Sequence, residues 1–244
     1  WNPKNYYGEI RKLEGHTNSV TCVDVFPGNP ERIVSGSRDN SLRVWDSESG
    51  DCIILLRGHT NWVTCVMLLS DGQIVSGSAD RTVRVWNSES GECTLELIAH
   101  TGWVNCLAQL ADGQIVSGSD DNSLRVWDSE SGNCTKMLTG HTGLVSHLMV
   151  LEGLIVSGSF DGSVRVWSSF DSFQLTVHAG PVRCMASLKN GQIVTGNSDK
   201  SIRICDIKSR NCTLELTGHT GHVSCVAQLA DGRIVSGSAD ASLR

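Results

Sequence analysis

The sequence predicts an all-β fold in which six four-stranded antiparallel sheets stack face to face around an axis. Three observations carry this. A unit of about 41 residues recurs along the chain, with its marker histidines at 16, 59, 100, 141, 178 and 219, spaced 43, 41, 41, 37 and 41 residues apart. Each unit holds four short apolar runs separated by turn signals. No apolar stretch approaches the length needed to span a bilayer.

The second unit sets out the grammar. Val63-Thr64-Cys65-Val66 is a first strand, a. Asp71-Gly72 is a hairpin signal, because glycine accepts positive φ. Ile74-Val75-Ser76-Gly77-Ser78 is strand b, and the turn Ala79-Asp80-Arg81 leads to the alternating strand c, Val83-Arg84-Val85-Trp86. The polar turn Ser88-Glu89-Ser90-Gly91 then feeds strand d, Cys93 to Leu97. Strand b begins at Ile33, Ile74, Ile115, Ile155, Ile193 and Ile234, and the third unit repeats Asp-Gly-Gln-Ile-Val-Ser-Gly-Ser at 112–119. A sheet this small cannot cover both of its faces, so the copies must stack on one another.

Two further markers fix the kind of repeat. Gly15-His16 returns as Gly58-His59, Ala99-His100, Gly140-His141 and Gly218-His219, with a degenerate Val177-His178. Trp45-Asp46 returns as Trp86-Asn87, Trp127-Asp128, Trp167-Ser168 and Cys205-Asp206. With their spacing, these markers make the chain resemble the WD40-repeat β-propeller family over essentially its whole length. The units run approximately 14–54, 55–95, 96–136, 137–173, 174–214 and 215–244, residues 1–13 joining the last, in one domain.

The resemblance implies that His, Ser, Asp and Trp of each unit form a hydrogen-bonded structural tetrad. The sets are His16, Ser35, Asp39, Trp45; His59, Ser76, Asp80, Trp86; His100, Ser117, Asp121, Trp127; and His141, Ser157, Asp161, Trp167. The fifth, His178, Thr195 and Asp199, has Cys205 in the tryptophan's place, and the sixth carries His219, Ser236 and Asp240. A buried polar network is stable only when its members satisfy one another. Ser, His and Asp also make a hydrolytic triad, but a constellation that recurs in every unit serves the architecture. No catalytic residue, cofactor site or metal site is assigned, and the chain is read as a non-enzyme.

Formal net charge is −6, which argues against nucleic acid and anionic membranes as main partners, since polyanions reward clustered Lys and Arg. Ten cysteines would fit a disulfide framework in a small secreted domain, but here they follow the repeat. Cys22, Cys65, Cys106, Cys184 and Cys225 occupy one register, Cys52, Cys93, Cys134 and Cys212 a second, and Cys205 stands outside both. Reduced structural thiols are therefore expected ahead of disulfides or zinc. The N-terminal ten residues do not look like a secretory signal, and a cytoplasmic or nuclear location is expected.

Where every copy agrees, the residue serves the fold; binding is sought where exposed positions differ. The position before strand a reads Ser19, Trp62, Trp103, Leu144, Pro181 and His222. The position before the tetrad aspartate reads Arg38, Ala79, Asp120, Phe160, Ser198 and Ala239. Both lie on the face of the d–a and b–c loops, which the resemblance implies is the usual docking surface. Two residues past the first register, Thr21, Thr64, Asn105, Ser146, Arg183 and Ser224 line the channel. Arg38, Trp62, Trp103, Asn105, Leu144, Phe160, Arg183 and His222 are the candidate partner-binding residues. The opposite face is acidic, with Asp46, Glu48, Asp51, Asp71, Glu89, Glu92, Asp112, Asp128, Glu130 and Asp231.

The function these features predict is a protein-interaction scaffold or receptor module for proteins or peptides, with no small-molecule substrate. The alternatives are a ligand-sensing propeller of a larger signalling protein and a substrate receptor of a ubiquitin ligase. Cullin-type receptors in the family often carry Arg three residues after the Trp, where this chain has Glu48, Glu89, Glu130, Phe170 and Lys208. A six-bladed ring is expected, seven being the alternative, closed by Glu9 to Leu13 as the outer strand of the last blade with Trp1 near its tetrad. The fifth blade, lacking its tryptophan, is expected to be the least stable.

Overall fold

A computed structural model describes residues 12–26, 31–168 and 172–244. All regular structure among them is β. Blade 1 comprises β1 (Val20–Val25), β2 (Arg32–Ser37), β3 (Ser41–Asp46) and β4 (Cys52–Arg57); blade 2, β5 (Val63–Leu68), β6 (Ile74–Ser78), β7 (Thr82–Trp86) and β8 (Cys93–Ile98). Blade 3 comprises β9 (Val104–Gln109), β10 (Ile115–Ser119), β11 (Leu124–Trp127) and β12 (Cys134–Leu138); blade 4, β13 (Val145–Leu151), β14 (Leu154–Ser159), β15 (Ser163–Trp167) and β16 (Ser172–Val177). Blade 5 comprises β17 (Val182–Ser187), β18 (Gln192–Asn197), β19 (Ile202–Asp206) and β20 (Asn211–Leu216). Blade 6 holds β21 (Val223–Gln228) and β22 (Ile234–Ser238), with a bridge from Gly237 to Leu243 starting a third strand.

Every blade is an antiparallel meander in chain order, and inner strands pack in series: β1 on β5, then β9, β13, β17 and β21. Strand b explains the closeness of that packing. A Cβ added at Gly77 would lie 2.6 Å from Val104 Cγ1 in the next blade and 2.6 Å from Cys65 Sγ in its own. Gly36, Gly118, Gly158 and Gly196 meet Val63, Val145, Val182 and Val223 in the same way. These valines are completely buried, so each glycine is a socket for the next blade's first inner-strand residue.

Each a–b ladder also carries a bulge immediately after that valine. In blade 1 Val20 pairs with Ser37 and Cys22 with Gly36, leaving Thr21 unpaired. The released side chain reaches the neighbouring blade. Thr21 Oγ1 donates to Val63 O at 2.5 Å, Thr64 to Val104 O, Asn105 Nδ2 to Val145 O at 3.1 Å, and Ser146 to Val182 O at 2.9 Å. The register expected to line the channel thus also pins blade to blade.

The expected strand from Glu9 to Leu13 and the approach of Trp1 fall mainly on residues 1–11, outside the described residues. Val20 is 57% exposed where its five counterparts are fully buried, and among the described residues β21 has no packing on β1 comparable to that between successive inner strands.

One expectation about the thiols is corrected. Cys205 and Cys212 form a disulfide, while Cys22, Cys52, Cys65, Cys93, Cys106, Cys134, Cys184 and Cys225 are free. The reason is positional: seven residues apart across the c–d hairpin, the two are direct β19–β20 partners. Burial pushes the Cys22 thiol up to about 11 and the Cys184 thiol to about 12, as expected of unreactive core thiols.

Candidate docking face

The tetrads form the rigid frame beneath the loops. In blade 2 the Trp86 indole N–H donates to Ser76 Oγ at 2.8 Å, Ser76 lies 2.7 Å from His59 Nε2, and His59 Nδ1 lies 2.8 Å from Asp80 Oδ2. Indole can only donate and carboxylate only accept, so the hydroxyl donates to Nε2 and Nδ1–H to the aspartate. Asp80 also accepts from the Thr60 N–H and the Thr82 hydroxyl, linking the d–a turn to the b–c turn. Burial works against its charge, but these donors and His59 hold its carboxyl well below the usual range.

Blades 1, 3 and 4 repeat this through His16, Ser35, Asp39 and Trp45; His100, Ser117, Asp121 and Trp127; and His141, Ser157, Asp161 and Trp167. In blade 6 His219 bridges Asp240 and Ser236 at 2.8 and 2.9 Å. The Ser-to-His-to-Asp order matches a nucleophile relay, but Ser76, Ser117 and Ser157 are fully buried and already hold an indole N–H. A buried, engaged hydroxyl cannot meet a substrate.

Blade 5 is built differently. Arg203 Nη1 lies 2.8 Å from His178 Nδ1, so that nitrogen accepts, and Thr195 Oγ1 lies 3.3 Å from Nε2. Burial, together with the Arg203 charge, pushes His178 down to about 4.

The two variable registers meet on one face through a backbone bond in every blade. Arg38 N donates to Ser19 O, Ala79 to Trp62, Asp120 to Trp103, Phe160 to Leu144, Ser198 to Pro181 and Ala239 to His222, all at 2.8–3.0 Å. On this frame the side chains link successive blades. Arg38 of blade 1 stacks on Trp62 of blade 2 at 4.5 Å, and Trp62 meets Trp103 of blade 3 edge-on at 5.8 Å. Farther round, Arg183 of blade 5 stacks on Phe160 of blade 4 at 5.3 Å.

Trp103 is 42% and Phe160 38% exposed, Arg38 and Arg183 are exposed, and Trp62, Leu144 and His222 are partly covered. Asn105 differs: its amide is held by Asp120 Oδ1 at 2.7 Å and by Val145 O. The arginine stacking escaped the sequence reading, although Arg38 shares a register with Phe160. The acidic residues of the opposite face largely shape turns. Asp46 Oδ1 accepts from the N–H groups of Glu48 and Ser49, and Asp71 Oδ1 from that of Gln73. No cluster of His, Cys, Asp or Glu able to hold a metal occurs among the described residues.

Comparison with known proteins agrees with this geometry. The computationally designed Ika8 protein superposes with a TM-score of 0.85 at 30% identity, covering 95% of this chain and 71% of that one. Nuclear distribution protein PAC1 of Arthroderma benhamiae is 38% identical over 80 residues, which is 30% of this chain and 17% of that protein. Nuclear distribution protein nudF of Aspergillus oryzae is 42% identical over 53 residues, 22% of this chain and 11% of that protein. The matched part thus spans less than a fifth of these relatives' length. The family model of the WD domain, G-beta repeat, matches at residues 8–46, 50–87, 91–128, 132–168, 171–206 and 210–244, and the chain belongs to the WD40-repeat family of β-propellers.

Proposed function

We propose that this propeller is a protein-interaction scaffold or receptor module, and that its partner docks on the face of the d–a and b–c loops. The arc of Arg38, Trp62, Trp103, Leu144, Phe160 and Arg183 is the observation that carries the reading. Its rings are half-exposed and fixed in place by stacking, so little ordering entropy is lost on binding. Such aromatic and arginine anchors dominate interface energetics. His222 flanks the arc, and Asn105 supports it from below through Asp120. A protein or peptide suits the surface better than nucleic acid, because both cations of the arc are already stacked on rings and the net charge is −6. No catalytic role belongs to this reading. A cytoplasmic location does, and no helix among the described residues is long and apolar enough to cross a membrane.

Site-directed photocrosslinking tests the proposal. A benzophenone side chain at position 103 should capture a protein partner in cells, whereas the same group at position 89, on the opposite face, should not. Crosslinking from position 89 alone would overturn it.

A further inference from the structure

In blades 1, 2 and 3 the register that closes the c–d hairpin pairs a tetrad tryptophan with a cysteine: Trp45 with Cys52, Trp86 with Cys93, Trp127 with Cys134. In blade 5 the tryptophan is replaced and two cysteines face each other. Cys205 is completely buried, while Cys212 is exposed on the outer strand. An indole stands opposite the outer-strand cysteine at this register in those three blades, whereas here a covalent bond joins β19 directly to β20.

We propose that Cys205–Cys212 is a redox modification site whose substrate class is a dithiol, and that its reduction releases the outer strand of blade 5. The asymmetry of burial sets the chemistry. A thiolate of the dithiol attacks the exposed Cys212 sulfur, forming a mixed disulfide and expelling Cys205 as a thiolate that takes up a proton. The second thiol of the reductant resolves the mixed disulfide, freeing Cys212 as a thiol. Two electrons and two protons pass to the protein, and the reductant leaves as a disulfide; a small or protein disulfide drives the reverse. Eight of the ten cysteines are free, so the pair is not part of a disulfide framework. An isolated disulfide with one sulfur open to attack is the arrangement expected of a regulatory disulfide. Cys205 lies opposite Ile193 at the start of β18, whereas Ser198 of the docking face follows its end, so the bond is remote from the proposed contacts.

Differential alkylation with mass spectrometry, run beside hydrogen exchange on the whole chain, decides the matter. Purified without reductant, Cys205 and Cys212 should resist alkylation while exposed Cys93, Cys134 and Cys225 label. Brief millimolar dithiothreitol under native conditions should render both alkylatable and speed exchange across 202–216 by roughly tenfold or more, with 42–57 of blade 1 unchanged. The Cys205→Ser/Cys212→Ser double variant should exchange fast in 202–216 whatever the redox conditions, and Cys205→Trp should lose the redox response. Labelling of both cysteines without reductant, reduction only after unfolding, or exchange in the double variant equal to that of the oxidised protein would each overturn the proposal.

Discussion

Replacing Ser76 by alanine is the sharpest probe of the frame. Its hydroxyl receives the Trp86 indole N–H at 2.8 Å and lies 2.7 Å from His59 Nε2, with Ser76 fully buried and Trp86 1% exposed. Removing one oxygen strands two buried polar atoms at once. Each unsatisfied group costs about 1–3 kcal/mol, so the expected loss is about 3 kcal/mol. For a chain of this size that is a fall in Tm of roughly 6–12 °C. Trp86→Phe removes the other end of the same bond but leaves Ser76 engaged with His59 and no orphaned donor, so its cost comes from the cavity left by the smaller ring rather than from unsatisfied polar atoms. Urea unfolding followed by far-ultraviolet circular dichroism, beside thermal scans, measures both. A Ser76→Ala cost below about 0.5 kcal/mol would refute the network reading.

Gly77→Ala should destabilise by about 1–3 kcal/mol in the same assay, since the new methyl meets Val104 and Cys65 at 2.6 Å, and Val104→Ala should recover part of the loss. Burial pushes His147 down to about 4, so between pH 6.5 and 4 the unfolded chain binds a proton that the folded chain refuses. Stability should therefore fall as pH drops through that window, by at most about 1.4 kcal/mol per pH unit for this group, and His147→Cys should flatten the slope by that share. His178 adds a second loss of the same sign, and the tetrad aspartates, held below the usual range, add theirs as pH falls below their ordinary 3.8. Native-state exchange should rank blade 5 as the first to open, between Val182 and Asp206; uniform protection across blades would contradict this.

Repeat spacing made the strands and tetrads legible, because a four-strand meander writes its turns and buried pairs into local sequence. The facing glycine and valine of adjacent blades were less visible, since neither residue announces its partner some 27 positions away, from Gly77 to Val104. The same holds for the Thr21 and Ser146 bonds, whose acceptors are backbone carbonyls of another blade. Cys205–Cys212 was legible in principle: the seven-residue interval equals that from Trp45 to Cys52. Treating Cys205 as a lone exception, rather than as the partner of Cys212 across a hairpin, hid it. Registers placed these side chains on the face of the d–a and b–c loops, but only geometry revealed that Arg38 and Arg183 brace its rings.

Quantitative capture from cell extract tests the central claim most directly, comparing the intact chain with Trp62→Ala/Trp103→Ala and with Glu89→Gln/Glu92→Gln on the opposite face. With all three equally folded, the tryptophan variant should lose the bound proteins by tenfold or more, as removal of central anchors worth about 2 kcal/mol or more requires, while the glutamate variant retains them. Undiminished capture by the tryptophan variant, with loss in the glutamate variant, would contradict the account.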